Sequence, residues 1–228
     1  MKKILQITGC VLCSILFLVG LLCGVTLAVA GDAAHMNALF LRHSDPAITG
    51  IGTAEYPAMA ERITAYLAGK ADTFQVTLPV HGQMREAFSE KELTHMQDVR
   101  NLFFLCRTVF LVCLATLFLL TLAVFRFKEL RTPLARAYLF TGIGAVLLLG
   151  VLAFWAAVDF HTLFTGFHHL FFTNDLWLLN PYQDLLLQLM PTVFFIDYAA
   201  RIGLFWLLGA VLPALAAVLY LNRRKRKA

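Results

Sequence analysis

Charge is scarce in this chain. Asp, Glu, Lys and Arg make up 14% of its 228 residues, where a soluble domain carries about 25%. With 60% hydrophobic residues and a mean hydropathy of +0.74, that shortage excludes an ordinary water-soluble globule. Cysteine is missing from every polar stretch. Cys10, Cys13, Cys23, Cys106 and Cys113 all fall within apolar runs, so no disulfide framework is built here. Cys10 and Cys13 form a C-x-x-C without redox flanks and read as small packing residues.

Other absences narrow the chemistry. No H-E-x-x-H, H-x-x-x-H or G-x-S-x-G occurs, which argues against a zincin-like centre and a serine hydrolase. No apolar run has a histidine in its interior, which argues against bis-histidine haem. None carries a central charge, which disfavours a channel or transporter path. His161, His168, His169, Asp159 and Asp175 leave zinc as a weaker alternative, since adjacent histidines on a helix point in different directions.

What the chain has is four long apolar runs, at about 4–30, 102–125, 134–158 and 202–221, each near the roughly 20 residues a bilayer-spanning helix needs. The expected organisation is all-α and membrane-integral. It comprises a first transmembrane helix (1–30), a small, mostly helical extracytoplasmic cap (31–100), a second helix (101–126) and a cytoplasmic loop (127–133). A third helix (134–158), an extracytoplasmic segment of interfacial helices (159–201), a fourth helix (202–221) and a basic tail (222–228) follow. The first run starts MKK and ends AVAG like a signal peptide. It is far longer than the ~7–15-residue core of one, so it is read as retained.

Basic residues set the orientation. Lys2 and Lys3, the loop bearing Arg126, Lys128, Arg131 and Arg136, and the tail NRRKRKA share one side of a four-span chain. That side is expected to be cytoplasmic, and the net charge of +5 speaks of topology and not of nucleic acid. The other two polar segments hold thirteen of the fourteen acidic residues and all seven histidines. Polar chemistry is therefore expected on the outer face.

Within the cap, Pro57 suits a first helical turn, PAMAERITAYLAG puts Met59, Ile63, Tyr66 and Leu67 on one face, and Gly69 is a stop. FQVTLPVHGQM reads as a turn, with a short strand or hairpin. Ser89 and Glu92 form an S-x-x-E capping box from which a helix should run unbroken into the second span. Glu92, His95 and Asp98 would lie along one side of it. A solvated face carrying an ordinary surface histidine fits the same pattern. Near the outer leaflet, FHHLFFTNDLWLLNP (167–181) places His168, His169, Asn174, Asp175 and Trp177 among aromatics. An idle ionisable group is costly in such a patch. Two histidines drawn from separate segments suit acid–base chemistry near neutral pH.

ELTHMQDVRNLF (92–103) and FHHLFFTNDLWLLNPYQDLLLQLMPTVFF (167–195) resemble the signatures of the lipoprotein intramolecular transacylase family of four-span bacterial membrane proteins. The resemblance implies movement of the sn-2 acyl chain of a diacylglyceryl-cysteine lipoprotein to the α-amino group of the same cysteine, giving the lyso-form. It implies diacylated lipoproteins and membrane lipids as partners, a bacterial cytoplasmic membrane location, and no cofactor or metal. It maps the family's two essential histidines onto His95 and His168, with His169 at a variable position. Asp98 is expected to orient His95 or the cap, and Arg100 is one candidate to steady an oxyanion. Asn174, Asp175 and Trp177 are expected to shape the floor of the site, or alternatively to cap loops and anchor the interface. A non-catalytic lipid- or lipoprotein-binding protein and a zinc-dependent membrane hydrolase are the competing readings.

Overall fold

The structure is a computed structural model and describes residues 2–226. Met1, at the start of the expected first helix, and Lys227 and Ala228, at the end of the basic tail, lie outside the described residues. In chain order the elements are α1 (Lys2–Ala30), α2 (Ala33–His43), α3 (Pro46–Thr49), a 3-10 turn (Thr53–Glu55), α4 (Tyr56–Leu67), β1 (Thr77–Val80) and β2 (Gln83–Glu86). Then come α5 (Glu90–Arg126), a 3-10 turn (Lys128–Leu130), α6 (Arg131–Phe171), α7 (Leu185–Leu189) and α8 (Thr192–Lys225). The helices α1, α5, α6 and α8 are each long and apolar enough to cross a membrane.

The chain forms two compact units. The described part of the first comprises 2–26, Cys106–Phe154 and 202–226. Its core is built on Leu18, Tyr138, Trp206 and Ala210, with Phe17, Leu21 and Leu149 packed around them. The two polar tips in that core donate to helix carbonyls. Trp206 Nε1 reaches Leu18 O at 2.9 Å and Tyr138 Oη reaches Ala210 O at 2.7 Å. Both bonds cross between helices, where a lone polar group in hydrocarbon would be costly. A Cβ on Gly20 would stand 2.6 Å from Cys113 Cβ, so the small residue permits a close helix approach. Phe118, Phe140, Ile143, Leu147 and Leu212 remain outward-facing and exposed, as a lipid-contacting surface requires.

The second unit comprises Leu27–Leu105 and Trp155–Arg201. Helix α2 packs on α4 around Phe40, Tyr56, Met59 and Ile63, all essentially inaccessible. Burial of this kind stabilises by about 1.5–3 kcal/mol per large side chain. Pro57 sits in the first turn of α4, and Gly69, at φ +75°, follows its C-cap. β1 and β2 pair antiparallel through a turn at His81 and Gly82, both at positive φ, the geometry that tight hairpins favour. Helix α2 is fastened to α8 at both ends. Its N-cap Asp32 accepts from Arg201 at 3.1 Å, and its last residue His43 meets Asp197 at 2.8 Å.

Two element boundaries differ from the sequence expectation. Helix α8 starts at Thr192, just after Pro191, so 192–201 is helix of the last span and not a separate interfacial piece. Asp197 and Arg201 had depressed the local hydropathy, but both are engaged in ion pairs, while Phe194 and Tyr198 lie buried one turn apart. At the other end, α6 begins at Arg131, inside the expected 127–133 loop, because Pro133 is tolerated in a first helical turn. Within α6, Asp159 leaves helical geometry (φ −151°, ψ 81°). Its carboxylate then accepts from Thr162 N at 3.0 Å and Thr162 Oγ1 at 2.5 Å, starting the helix afresh.

Candidate active site

All the expected site residues belong to the second unit. His95 is carried by the first turns of α5, whose start is fixed by a reciprocal capping box. Glu92 N donates to Ser89 Oγ at 3.4 Å, and Ser89 N donates to Glu92 Oε2 at 2.6 Å. The other Glu92 oxygen accepts from Leu186 N at 2.6 Å, at the start of α7. One buried carboxylate thus caps two helices.

His168 is carried by the restarted helix after Asp159. Adding four to 168 gives Phe172, and subtracting four gives Phe164, so aromatic rings lie above and below it on one helical face. Phe164 and His168 ring centroids are 4.2 Å apart, and those of His168 and Phe172 are 5.5 Å apart. Trp177 closes a third side at 4.8 Å.

The His95 and His168 rings lie 6.0 Å apart, inclined by 32°. Both are buried, at 7% and 6% exposure. Phe172 touches both, meeting His95 edge-on at 5.3 Å. His168 Nδ1 lies 2.7 Å from Phe164 O. A carbonyl only accepts, so Nδ1 carries the hydrogen and a neutral ring keeps its lone pair on Nε2. Burial holds the His95 imidazole down at about 4, and neighbouring His168 adds to the effect while the Asp98 carboxylate opposes it without prevailing. Burial also lowers His168, against the Phe164 carbonyl, which favours its protonated form. Both imidazoles are therefore neutral at physiological pH and available as bases.

The remaining expected residues divide by role. Asp98 does not bond His95; it accepts from Asn174 Nδ2 at 2.9 Å. Asn174 Oδ1 in turn accepts from Leu176 N at 3.1 Å, and Lys91 Nζ donates to Leu178 O at 2.5 Å. The loop holding Trp177 is thus tied to α5 on both sides of the indole. Asp175 is exposed and its carbonyl accepts from Leu178 N at 3.2 Å, a loop-forming role. His169 is exposed and meets Trp177 edge-on at 5.1 Å. Arg100 lies over the Tyr66 ring at 4.6 Å and the Phe104 ring at 5.2 Å, which engages its guanidinium as a cation–π partner. Beside Phe172 a cavity of about 320 Å³ has Asp98, Asn101 and Asn174 as polar walls and Leu102, Leu105, Leu170 and Phe171 as apolar ones. Among the described residues, no three His, Cys, Asp or Glu side chains form a metal-binding group.

Sequence reasoning passed over three contributors. Phe172 stands in the sequence as one member of an aromatic run, though its spacing of four from His168 is a usable signal. The second contact of Glu92 and the hydrogen bond from Lys91 had no signal, since both partners are distant in sequence.

The profile of the family described as lipoprotein intramolecular transacylase Lit matches residues 10–195. The chain belongs to the lipoprotein intramolecular transacylase family. Membership makes it a membrane-integral enzyme of lipoprotein acyl transfer. A search of curated proteins finds no match. Among solved structures, the in meso structure of the membrane-integral lipoprotein intramolecular transacylase Lit from Bacillus cereus superposes with a TM-score of 0.71 at 22% identity, covering 97% of each chain. Two structures of the same Bacillus protein with one histidine replaced also match. The arginine variant gives a TM-score of 0.69 at 20% identity, over 100% of this chain and 96% of that one. The alanine variant gives 0.70 at 20%, over 100% and 98%. At these identities the likeness speaks for the fold, and the family assignment rests on the profile.

Proposed function

We propose that this transacylase moves the sn-2 acyl chain of a diacylglyceryl-cysteine lipoprotein to the α-amino nitrogen of the same cysteine, with His168 as general base and His95 as its partner. What carries the reading is the pairing of two buried, neutral imidazoles in one aromatic pocket, 6.0 Å apart. Nε2 of His168 takes the proton as the amine attacks the ester carbonyl. The tetrahedral intermediate collapses with cleavage of the acyl–oxygen bond, and the glyceryl oxygen receives a proton from the imidazolium. One N–C bond forms, one C–O bond breaks, and one proton moves from nitrogen to oxygen. An ester becomes an amide, so no ATP or cofactor is called for. Both reacting groups belong to one substrate molecule, which supplies proximity. The apolar wall of the cavity beside Phe172 suits one acyl chain, and its Asp98, Asn101 and Asn174 end suits the ester and glycerol. The charge pattern of the sequence supports cytoplasmic termini with this site on the extracytoplasmic face.

The test is tandem mass spectrometry of a lipoprotein's N-terminal peptide from a host that makes only diacylglyceryl lipoproteins. Fragments must locate the chain, because migration within one molecule leaves its intact mass unchanged. An N-acyl, lyso-glyceryl peptide that vanishes with His168→Ala and with His95→Ala is the expected result. An unaltered diacylglyceryl peptide in the presence of folded protein refutes the reading.

A further inference from the structure

The amine's attack puts negative charge on the former carbonyl oxygen, and a buried site must supply a hydrogen-bond donor for it. Several donors around His168 are spent, while His95 Nδ1, in the acid–base pair itself, is buried without a hydrogen-bond partner among the described residues. His168 Nδ1–H is given to Phe164 O and the Phe172 amide to His168 O. The amides of Leu176, Leu178 and Leu179 close turns onto Asn174 Oδ1, Asp175 O and Trp177 O. The Arg100 guanidinium rests on the rings of Tyr66 and Phe104, with its Nε buried and without a hydrogen-bond partner among the described residues. Against this background, the indole nitrogen of Trp177 is buried and finds no partner among the described residues, although its ring packs 4.8 Å from that of His168. An indole N–H can only donate, and leaving such a group buried and unpaired costs about 1–3 kcal/mol. The loop around it is pinned by Asn174 to Asp98 and by Leu178 O to Lys91. A donor held in place before the reaction needs no reorganisation when charge appears.

Resting on the transacylase reading above, we propose that Trp177 Nε1–H donates a hydrogen bond to the oxyanion of the tetrahedral intermediate. It is a neutral donor and leaves the protonation of the nearby base undisturbed. It also stacks on that base, so the acid–base nitrogen and the oxyanion site are set by one packed pair of rings.

The experiment uses the full-length purified chain and a diacylglyceryl-cysteine peptide, with acyl position read by tandem mass spectrometry over time. Trp177→Phe keeps an aromatic ring and deletes the donor. The expected result is a kcat about 10²–10³-fold lower, with KM and the pH of the acid limb unchanged. A kcat near that of the parent chain overturns the proposal, as does a loss carried in KM or accompanied by a shifted acid limb, which would mark Trp177 as only positioning His168. If the Phe variant does not fold, β-(3-benzothienyl)alanine at 177 decides, because it preserves the bicycle and lacks the N–H. An undiminished kcat with that side chain refutes the donor role. A parent chain that never moves the acyl group refutes the transacylase reading itself and the donor role with it, an outcome separate from a defect confined to position 177.

Discussion

Leu186 N–H donates to Glu92 Oε1 at 2.6 Å, joining the start of α7 to the start of α5 through a side chain that is 2% exposed. The partner oxygen holds Ser89 N, so removing the carboxylate strands two amides at once. Glu92→Ala should lower stability by about 2–4 kcal/mol. Glu92→Gln, which retains an acceptor, should lose less. Thermal unfolding in detergent measures both, and activity should fall with stability because His95 lies on the next turn of α5.

The adjacent histidines should behave unequally. His168→Ala removes the proposed base and should reduce the rate about 10²–10⁴-fold. His169→Ala alters an exposed ring that meets only the edge of Trp177, and the rate should stay within about threefold. Initial rates on the diacylglyceryl peptide distinguish them.

Acid should inactivate the enzyme later than it would a free imidazole. His95 sits at about 4 and His168 lies below the ordinary 6.5. The acid limb of kcat/KM should therefore fall below the 6.5 of a free imidazole. Stability follows the same sign. The unfolded His95 titrates near 6.5 and the folded one near 4. In that window the unfolded chain binds more protons, so stability is complete above about 6.5 and is lost as pH falls toward 4. Burial does most to set the folded value of His95, and His168, Asp98 and Lys91 are the charged or titratable neighbours that adjust it. His95→Asn should flatten the pH slope of Tm across this range.

Asp98 and Asn174 should act as one unit. Each single change to Ala frees the loop before Trp177 by breaking the same 2.9 Å bond. Stability effects should be about 1 kcal/mol or less, since both side chains reach solvent. The fall in kcat should be similar for both, and the double variant should be no worse than either. A double-mutant cycle in kcat/KM reads this coupling.

Local signals carried the cap far. Pro57 and Gly69 announce where α4 begins and ends, and the Ser89–Glu92 pair where α5 begins, because capping chemistry lies within four residues of its cause. Four apolar runs announce four long helices for the same reason. The start of α8 was hidden, since Asp197 and Arg201 look like loop residues until His43 and Asp32 are seen beside them. The site was half legible. Spacing placed polar residues on two segments, and the family resemblance paired His95 with His168. Spacing alone could not say that their rings lie 6.0 Å apart, nor that Asp98 is occupied by Asn174 and Arg100 by Tyr66 and Phe104. Those partners are set by how the segments pack, and no local pattern encodes it.

The hydrogen bond from His168 Nδ1 to the Phe164 carbonyl bears on where a proton goes between the two halves of the reaction. A ring anchored by one nitrogen has a single port. On the proposed chemistry, the hydrogen taken from the amine and the one handed to the glyceryl oxygen pass through the same atom. The imidazole need not turn over or exchange with bulk water in between.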